Sequence, residues 1–408
     1  MKPFRTFALL ALTTIAAFAA EPTPASHEAA SLEDAFAKGT ISFDARLRWE
    51  HATQSNLKDS NAETLATRFG FTTAPLHGFS AMLQGENVAS LGNPDDYNAA
   101  GTNPGGAGRT VIADPTVTDI NQAWLSYAAP DATFKVGRQR IILDNARFVG
   151  DVGWRQNMQT FDAADLTAAP ARDLSFFYGY IWRVSRVFGN KSPQPDFTGN
   201  IHLINATYSG LPFGKLTGYA YLLDFDNSAP NSSDTYGASL AGAAPVGAGV
   251  KVSYRLEYAT QADAGRNPVH YRADYSLFQV GAQVKPFHFG VGYETLGSDH
   301  GRKGFATPLA TLHAFDGWAD LFLITPADGL RDLFVSAGAA IPGGFPITVV
   351  YHDFHSDFGD LSYGNEWDAV VAHKVTKHWT VLAKLARYSS GGPFSNTHKA
   401  WLQTEYTF

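Results

Sequence analysis

Strand-length segments of strict two-residue alternation recur along this 408-residue chain, and no other feature narrows its possible folds as much. Successive side chains of a strand face opposite sides, so alternation sorts a segment into two faces. Between 250 and 261, Val250, Val252, Tyr254, Leu256 and Tyr258 share one face, with Lys251, Ser253, Arg255, Glu257 and Gln261 on the other. The segment 41–50 sets Ile41, Phe43, Ala45, Leu47 and Trp49 against Ser42, Asp44, Arg46, Arg48 and Glu50. A sandwich would turn the apolar face to its core, whereas a membrane barrel would turn it to lipid and keep the charged face around a wet lumen. Alternation alone permits both.

The connections separate the two. The chain carries about eighteen candidate strands, each near the roughly 9 to 11 residues that a tilted strand needs to cross the hydrocarbon. Every second link is short and usually holds proline: Ala74-Pro75-Leu76, Ala129-Pro130-Asp131, Ala169-Pro170, Leu211-Pro212, Ala244-Pro245, Lys285-Pro286 and Ile341-Pro342-Gly343-Gly344. Proline lacks the N–H that a sheet ladder needs, so these mark turns. The intervening links, including 92–118, 187–199 and 298–329, are longer and richer in Gly, Asn and Asp. Short turns at one end and long loops at the other are the asymmetry of an antiparallel, up-and-down transmembrane β-barrel with its turns in the periplasm. A sandwich has no reason to keep such an alternation, and no fixed-period repeat of the propeller kind is present.

The ends of the chain agree with export. Lys2 and Arg5 precede an apolar run from Phe7 to Phe18 and the triplet Ala17-Phe18-Ala19, which reads as a signal peptide over 1–19 cleaved before Ala20. No stretch reaches the roughly 18 to 20 apolar residues of a membrane helix. There are no cysteines, so disulfides do not hold the exported chain together. Removing Lys2 and Arg5 takes the formal charge from −7 to −9, which argues against nucleic acid as a partner. Residues 20–40 stand apart as a periplasmic tail or short helix, with Ser31 as N-cap and Asp34 three residues on, and the barrel is expected over 41–408. The last strand, Trp401 to Phe408, ends on phenylalanine and is similar to the signal by which the barrel-assembly machinery recognises its clients.

One stretch breaks the alternation. Arg138 and Arg140 continue the register of Phe134 and Val136, so a bulge or strand end near Gly137 must re-aim them, because an arginine at the bilayer centre costs roughly 2 to 4 kcal/mol. Arg138, Arg140, Arg147 and Arg155 fall close together with Gln139, Asn145, Gln156 and Asn157. Forked, permanently charged guanidinium groups match carboxylates, and gathered in a pore they form an anion-selective constriction. The competing reading is a luminal lattice of Arg with acids such as Asp144 and Asp151 that only stiffens the wall.

The run Val136 to Gly150, with Trp154-Arg155-Gln156-Asn157 and Gln159 to Ala163, resembles the alginate export family of outer-membrane porins. The resemblance continues in Ala306 to Leu309, Phe315 to Asp320, Tyr363 to Asp368 and the closing strand. It implies a monomeric eighteen-stranded barrel with an electropositive pore for an anionic polyuronate, lined by Arg138, Arg140, Arg147 and Arg155 and joined by Arg46 and Arg48. Asn145 and Gln156 are expected beside them, with outer-membrane lipid around the barrel and an anionic sugar polymer or small anions as permeant. The family's exporter closes its pore with a long periplasmic turn, whereas every periplasmic turn here is a few residues, which separates gating and direction from the resemblance. A general diffusion porin with mild anion preference is the alternative within transport.

An enzyme is not expected, nor a cofactor. No Gly-x-Ser-x-Gly elbow, phosphate loop or zinc spacing occurs. In His352-Asp353-Phe354-His355-Ser356-Asp357, the two histidines three apart fall on opposite faces of a strand and cannot share a metal. Only a loop carrying Asp357 and Asp360 offers oxygen ligands of the kind that hold Ca²⁺, and the polar rim of a strand is the plainer reading.

Overall fold

The computed structural model describes residues 28–247, 249–341 and 344–408. The leader with its cleavage point, residues 20–27 of the tail, and Pro342-Gly343 lie outside these. A short helix α1 (Leu32–Ala37) precedes eighteen strands. They are β1 (Thr40–Gln54), β2 (Ser60–Thr72), β3 (Phe79–Ser90), β4 (Val117–Ala129), β5 (Ala132–Gln139), β6 (Thr160–Ala171), β7 (Leu174–Ser185), β8 (Asp196–Leu211), β9 (Gly214–Phe225), β10 (Ser233–Pro245), β11 (Val250–Asp263), β12 (Arg272–Val284), β13 (Phe287–Leu296), β14 (Leu330–Ile341), β15 (Phe345–His355), β16 (Ser362–Lys374), β17 (Trp379–Ser390) and β18 (Thr397–Thr407). Each pairs antiparallel with the next, and β18 returns to β1 with Asp44 opposite Thr407 and Gln54 opposite Thr397. The sheet is therefore closed, which leaves no strand edge to satisfy in lipid.

Alternation sets the faces as expected. On β1, Asp44, Arg46, Arg48 and Glu50 are buried in the lumen while Ile41 and Leu47 are exposed outside. On β11, Glu257 and Gln261 are buried while Leu256 and Tyr258 are exposed. Phe69, Leu83, Phe134, Phe278, Phe289, Val335, Leu385 and Leu402 extend the same apolar belt around the barrel.

The connections alternate in length as well. The ends bearing α1 and Phe408 carry short turns such as 73–78, 130–131, 212–213 and 375–378, and the opposite end carries 91–116, 140–159, 186–195 and 297–329. Ser31 Oγ accepts from the Asp34 N–H to cap α1. The helix is tied to the turn at 73–78 by Ala29 N–H to the Pro75 carbonyl (2.7 Å) and Ala74 N–H to the Ala35 carbonyl (2.9 Å). Phe408 exchanges two backbone hydrogen bonds of 3.0 Å with Phe43. Two prolines read as turns sit in strands instead: Pro170 lies within β6, with its turn following at 172–173, and Pro245 ends β10. The ladder to β7 is irregular between Ala168 and Ala171, so the missing N–H of Pro170 falls where pairing is already interrupted.

The lumen differs from a simple wet tube. Segments 140–159 and 297–329 fold back into it and meet each other at a bridge between Val149 and Leu309. Gly150 N–H donates to the Leu309 carbonyl (2.9 Å) and Thr311 N–H to the Ala146 carbonyl (3.0 Å). Contact there is so close that a Cβ on Gly150 would stand 2.2 Å from Thr311 Oγ1. Val149, Trp154, Phe305, Leu309, Trp318 and Phe322 of these loops join Ile181, Leu203, Tyr275, Phe354 and Trp401 of the wall in one buried apolar cluster. The barrel thus has a core inside it, made of the luminal faces of some strands and the two loops that pack on them.

Candidate functional site: the luminal constriction

The wall arginines hold the backbone of the inward loop. Arg46, on the luminal face of β1, donates from Nη1 to the carbonyls of Gly153 (2.9 Å), Trp154 (3.3 Å) and Arg155 (3.3 Å), and from Nη2 to Glu405 (2.9 Å). Arg48, two residues on, donates to the Trp154 carbonyl (2.6 Å) and twice to Gln403 Oε1 (2.6 and 3.1 Å). It also meets Asp114 at 3.4 Å and lies 4.2 Å over the Trp154 ring. Arg68 on β2 completes the row, bonded to the Gln156 carbonyl and to Glu86, and to Asp44 at 3.0 Å. Gln156 returns the grip, donating to the Arg46 carbonyl (3.3 Å) and to Thr64 Oγ1 (2.9 Å).

The loop arginines bind in the reverse sense, to carboxylates of the wall and of the second loop. Arg147 Nε donates to Glu294 on β13 (2.6 Å) and Nη2 to Asp316 (2.9 Å). Arg155 reaches Glu50 on β1 (3.2 Å) and Asp320 (2.7 Å), and Lys399 on β18 reaches the same Asp320 at 2.6 Å. Burial disfavours the charged forms of Arg147 and Arg155, but their carboxylate partners more than offset it and hold both above the ordinary arginine value.

A second fastening joins both loops to β17. Lys384 Nζ sits 3.7 Å from the Trp318 ring, 4.2 Å from that of Trp154 and 5.5 Å from that of Trp401, and meets His313 Nε2 at 2.7 Å. His313 stacks on Trp154 with centroids 4.7 Å apart, and its Nδ1 lies 2.7 Å from Asp320. Lys384 has no acceptor to offer, so Nε2 accepts and Nδ1 donates, which is the neutral ring. Burial, then the nearby Lys384 and Arg155 charges, hold the His313 imidazolium well below its usual range despite Asp320.

Two cavities flank this plug. The outer one, of about 340 Å³, lies among loops 91–116, 140–159, 186–195 and 297–329. Its charged lining residues are Arg155, Arg186, Lys399 and Asp320, with His313 held neutral. The inner one, of about 80 Å³, is lined by Asn145, Glu294, Asp316, Trp318, Asp332 and His352 among others. Arg186, like Arg68, Lys384 and Lys399, is a cation that sequence reasoning did not single out. It follows β7 directly, stacks 4.6 Å over Phe188 and 4.3 Å over Phe197, and no carboxylate pairs with it among the described residues. Burial alone pulls its guanidinium down to about 10, so it stays charged at neutral pH.

The fold has solved counterparts. OccAB4 of Acinetobacter baumannii superposes with a TM-score of 0.68 at 16% identity, covering 91% of this chain and 98% of that one. OccAB3 of the same organism gives 0.73 at 12%, covering 91% and 99%. OpdK of Pseudomonas aeruginosa, an outer membrane protein solved with vanillate, gives 0.71 at 14%, covering 90% and 98%. This chain shares the fold of these proteins, a closed antiparallel β-barrel. A family model described as alginate export matches residues 95–176, the stretch that holds most of the arginine segment on which the resemblance rests. A comparison with curated proteins finds no match.

Within this porin-type barrel the expected site residues divide. Arg46, Arg48, Arg147, Arg155 and Gln156 come together, each at most 5% exposed. Asn145 borders the inner cavity and accepts from the Arg147 N–H. Arg140 pairs with Asp151 inside its own loop (Nε–Oδ2, 2.7 Å), while Asp144 instead accepts from Asn205 (2.8 Å). A strand end near Gly137 is present: that glycine has φ +123°, which favours glycine, and β5 stops at Gln139. Arg138 nevertheless stands apart from the cluster, paired with Asp162 directly across the ladder (2.7 and 3.1 Å) and donating to the Ile120 carbonyl. That pairing lets it keep its register at the end of a short strand without turning inward. The Ca²⁺ reading of Asp357 and Asp360 is not supported. Asp357 accepts from the Ser298 N–H (2.9 Å) and Asp360 pairs with Arg331, and among the described residues no group of three His, Asp or Glu is arranged for a metal.

Proposed function

We propose that this outer-membrane barrel is a passive, anion-preferring channel, with acidic oligosaccharides of the polyuronate class among its permeants. The observation that carries the reading is the outer cavity, where Arg155, Arg186 and Lys399 face a single carboxylate, Asp320, above a fixed constriction. An excess of cations in a cleft with low-dielectric walls raises the local concentration of anions and speeds their entry. The alginate export match over residues 95–176 supports the polyuronate class. A polymer strand passes only if the two inward loops part, since their buried pairing occupies the lumen at rest.

A second reading has its own observation. Arg46, Arg48, Arg147 and Arg155 are each paired with carboxylates of the wall or loops, so the inner constriction adds little to selectivity, and a general diffusion channel with mild anion preference follows. Planar-bilayer recording decides. The reversal potential of the wild-type channel in a KCl gradient is expected to favour chloride, and oligouronate added to the outer side is expected to block the current. A cation-favouring reversal potential overturns the anion reading; chloride preference without oligouronate block favours the general channel.

A further inference from the structure

The apolar belt outside the barrel is not evenly filled. On β2 its outward face presents Phe69 and Phe71, whereas on β3 Gly85 stands directly opposite Phe69. Gly85 is exposed, and a Cβ there would meet nothing beyond its chain neighbours within 4 Å. Together with Thr67 and Ala81, both small, it floors a groove of about 750 Å³ walled by Phe43, Phe69, Phe71 and Leu83. Toward the short turns the groove ends on Phe36 of α1, which stacks on Phe71 with ring centroids 5.9 Å apart.

The other end is polar. Asn87 Nδ2 donates to Thr118 Oγ1 (2.7 Å), Asp119 Oδ1 accepts from the Ile120 N–H (2.7 Å), and all of these side chains are exposed. Asn87 Oδ1 and Asp119 Oδ2 have no partner among the described residues. Arg138 lies 3.5 Å from Asp119, but its fork is filled by Asp162 and its Nη1 by the Ile120 carbonyl. Arg68 and Glu86, which also border the groove, are buried and paired with each other. This end therefore offers acceptors and a hydroxyl, with a carboxylate that repels a phosphate and no uncommitted cation among the lining residues to hold one.

Dimensions select the occupant further. From Ala81 to Asn87 the groove follows β3 for roughly 20 Å, at about 3.3 Å per residue. A strand tilt of about 35–45° turns that length into about 15 Å of depth. Half of a hydrocarbon core about 30 Å thick is the reach of an acyl chain from one leaflet.

We propose that the groove on β1–β4 is a binding site for a glycolipid of the leaflet on the long-loop side. One acyl chain lies along Phe69, Gly85 and Phe71, and the hydroxyl or amide groups of the sugar head meet Asn87, Thr118 and Asp119. The site rests on the reading of the barrel as a membrane protein and is independent of what the lumen passes.

Native mass spectrometry of the full-length barrel, extracted from its membrane in mild detergent, tests it. One acylated glycolipid per barrel is expected to stay bound to the wild type through washing. Gly85→Phe fills the hollow from an open position and is expected to cut that occupancy about tenfold, the loss of roughly two buried methylenes. Ala337→Phe, at an exposed position of β14, is expected to leave it unchanged. Asn87→Leu, which removes a head contact and keeps the apolar wall, is expected to shift the bound lipid from glycolipid toward phosphatidylethanolamine added to the same sample. Each variant is first shown to migrate as a folded barrel on an unboiled gel. A wild type that keeps no lipid, one that keeps phospholipid in place of glycolipid, or equal retention by Gly85→Phe and Ala337→Phe overturns the site. Failure of the site leaves conductance in planar bilayers intact, whereas failure of the membrane reading removes conductance and folded migration together.

Discussion

Arg48 and Arg186 are the same residue in the same barrel, and their surroundings give them opposite roles. Arg48 sits on the β1 wall with its donors spent on Gln403, Asp114 and the Trp154 carbonyl, while Arg186 sits at the outer cavity with an edge unspent. A luminal arginine is therefore not a selectivity element by virtue of its charge alone. What matters is whether the fold supplies its counterpart: Arg48 is used to fasten one segment to another, whereas the Nε–Nη2 edge of Arg186 has no partner among the described residues.

Four measurements bear on that contrast, taken from the largest effect to the smallest. Arg147→Met should be the most damaging, because it strands Glu294 and Asp316 without their shared cation. Breaking a buried pair from one side costs about 3–5 kcal/mol, to be measured as a lower denaturant midpoint for barrel unfolding, with noisier and larger single-channel currents as the plug loosens. If the midpoint is unchanged, the paired cluster is not what fastens the loops. Lys384→Met should cost about 2 kcal/mol, in keeping with a desolvated cation–π contact and one hydrogen bond, and should loosen the same loops.

The third measurement is pH. Neutral His313 accepts from Lys384 and donates to Asp320, with Arg155, Lys399 and Asp368 the other charges packed around this group. Because its folded value lies below the unfolded one of about 6.5, the stability it contributes is full above about 6.5 and is lost progressively as pH falls further. Burial works against the Asp320 carboxylate, but His313, Lys399 and Arg155 hold it well below the usual range, so it stays ionised through this window. Conductance should therefore rise on acidification from neutral pH, and His313→Gln should flatten the response; a flat wild-type profile would remove His313 from the fastening. Last, Arg266→Ala, which removes an exposed pair with Asp226, should change neither midpoint nor selectivity measurably.

The barrel was legible because alternation and connection length are local. The luminal side of Arg46 and Arg48 followed from parity with Ile41 and Leu47, and the same parity points to Arg68, two residues along the luminal row from Ala66. What those arginines do was not legible, since the carbonyls they hold belong to residues 88 to 109 positions away. Nor does alternation reveal that 140–159 turns inward: Ile141, Val149 and Trp154 read as strand or loop until the apolar luminal faces they cover, such as Ile181 and Leu203, are seen. Arg186 belongs to no motif, and it stands out only by a missing partner, which is a property of three dimensions. Arg138 carried a strong local signal yet stands apart from the cluster, because Asp162 gives it a partner where it stands.

Arg46, Arg48 and Arg68 grasp main-chain oxygens of 153–156, which every amino acid possesses. Replacements in that loop at positions whose side chains take no part in the fastening can accordingly re-line the aperture without unseating it. A barrel built this way can drift toward new solutes by exchanging the residues that project into its opening, while the frame that fixes the opening's position is inherited unchanged.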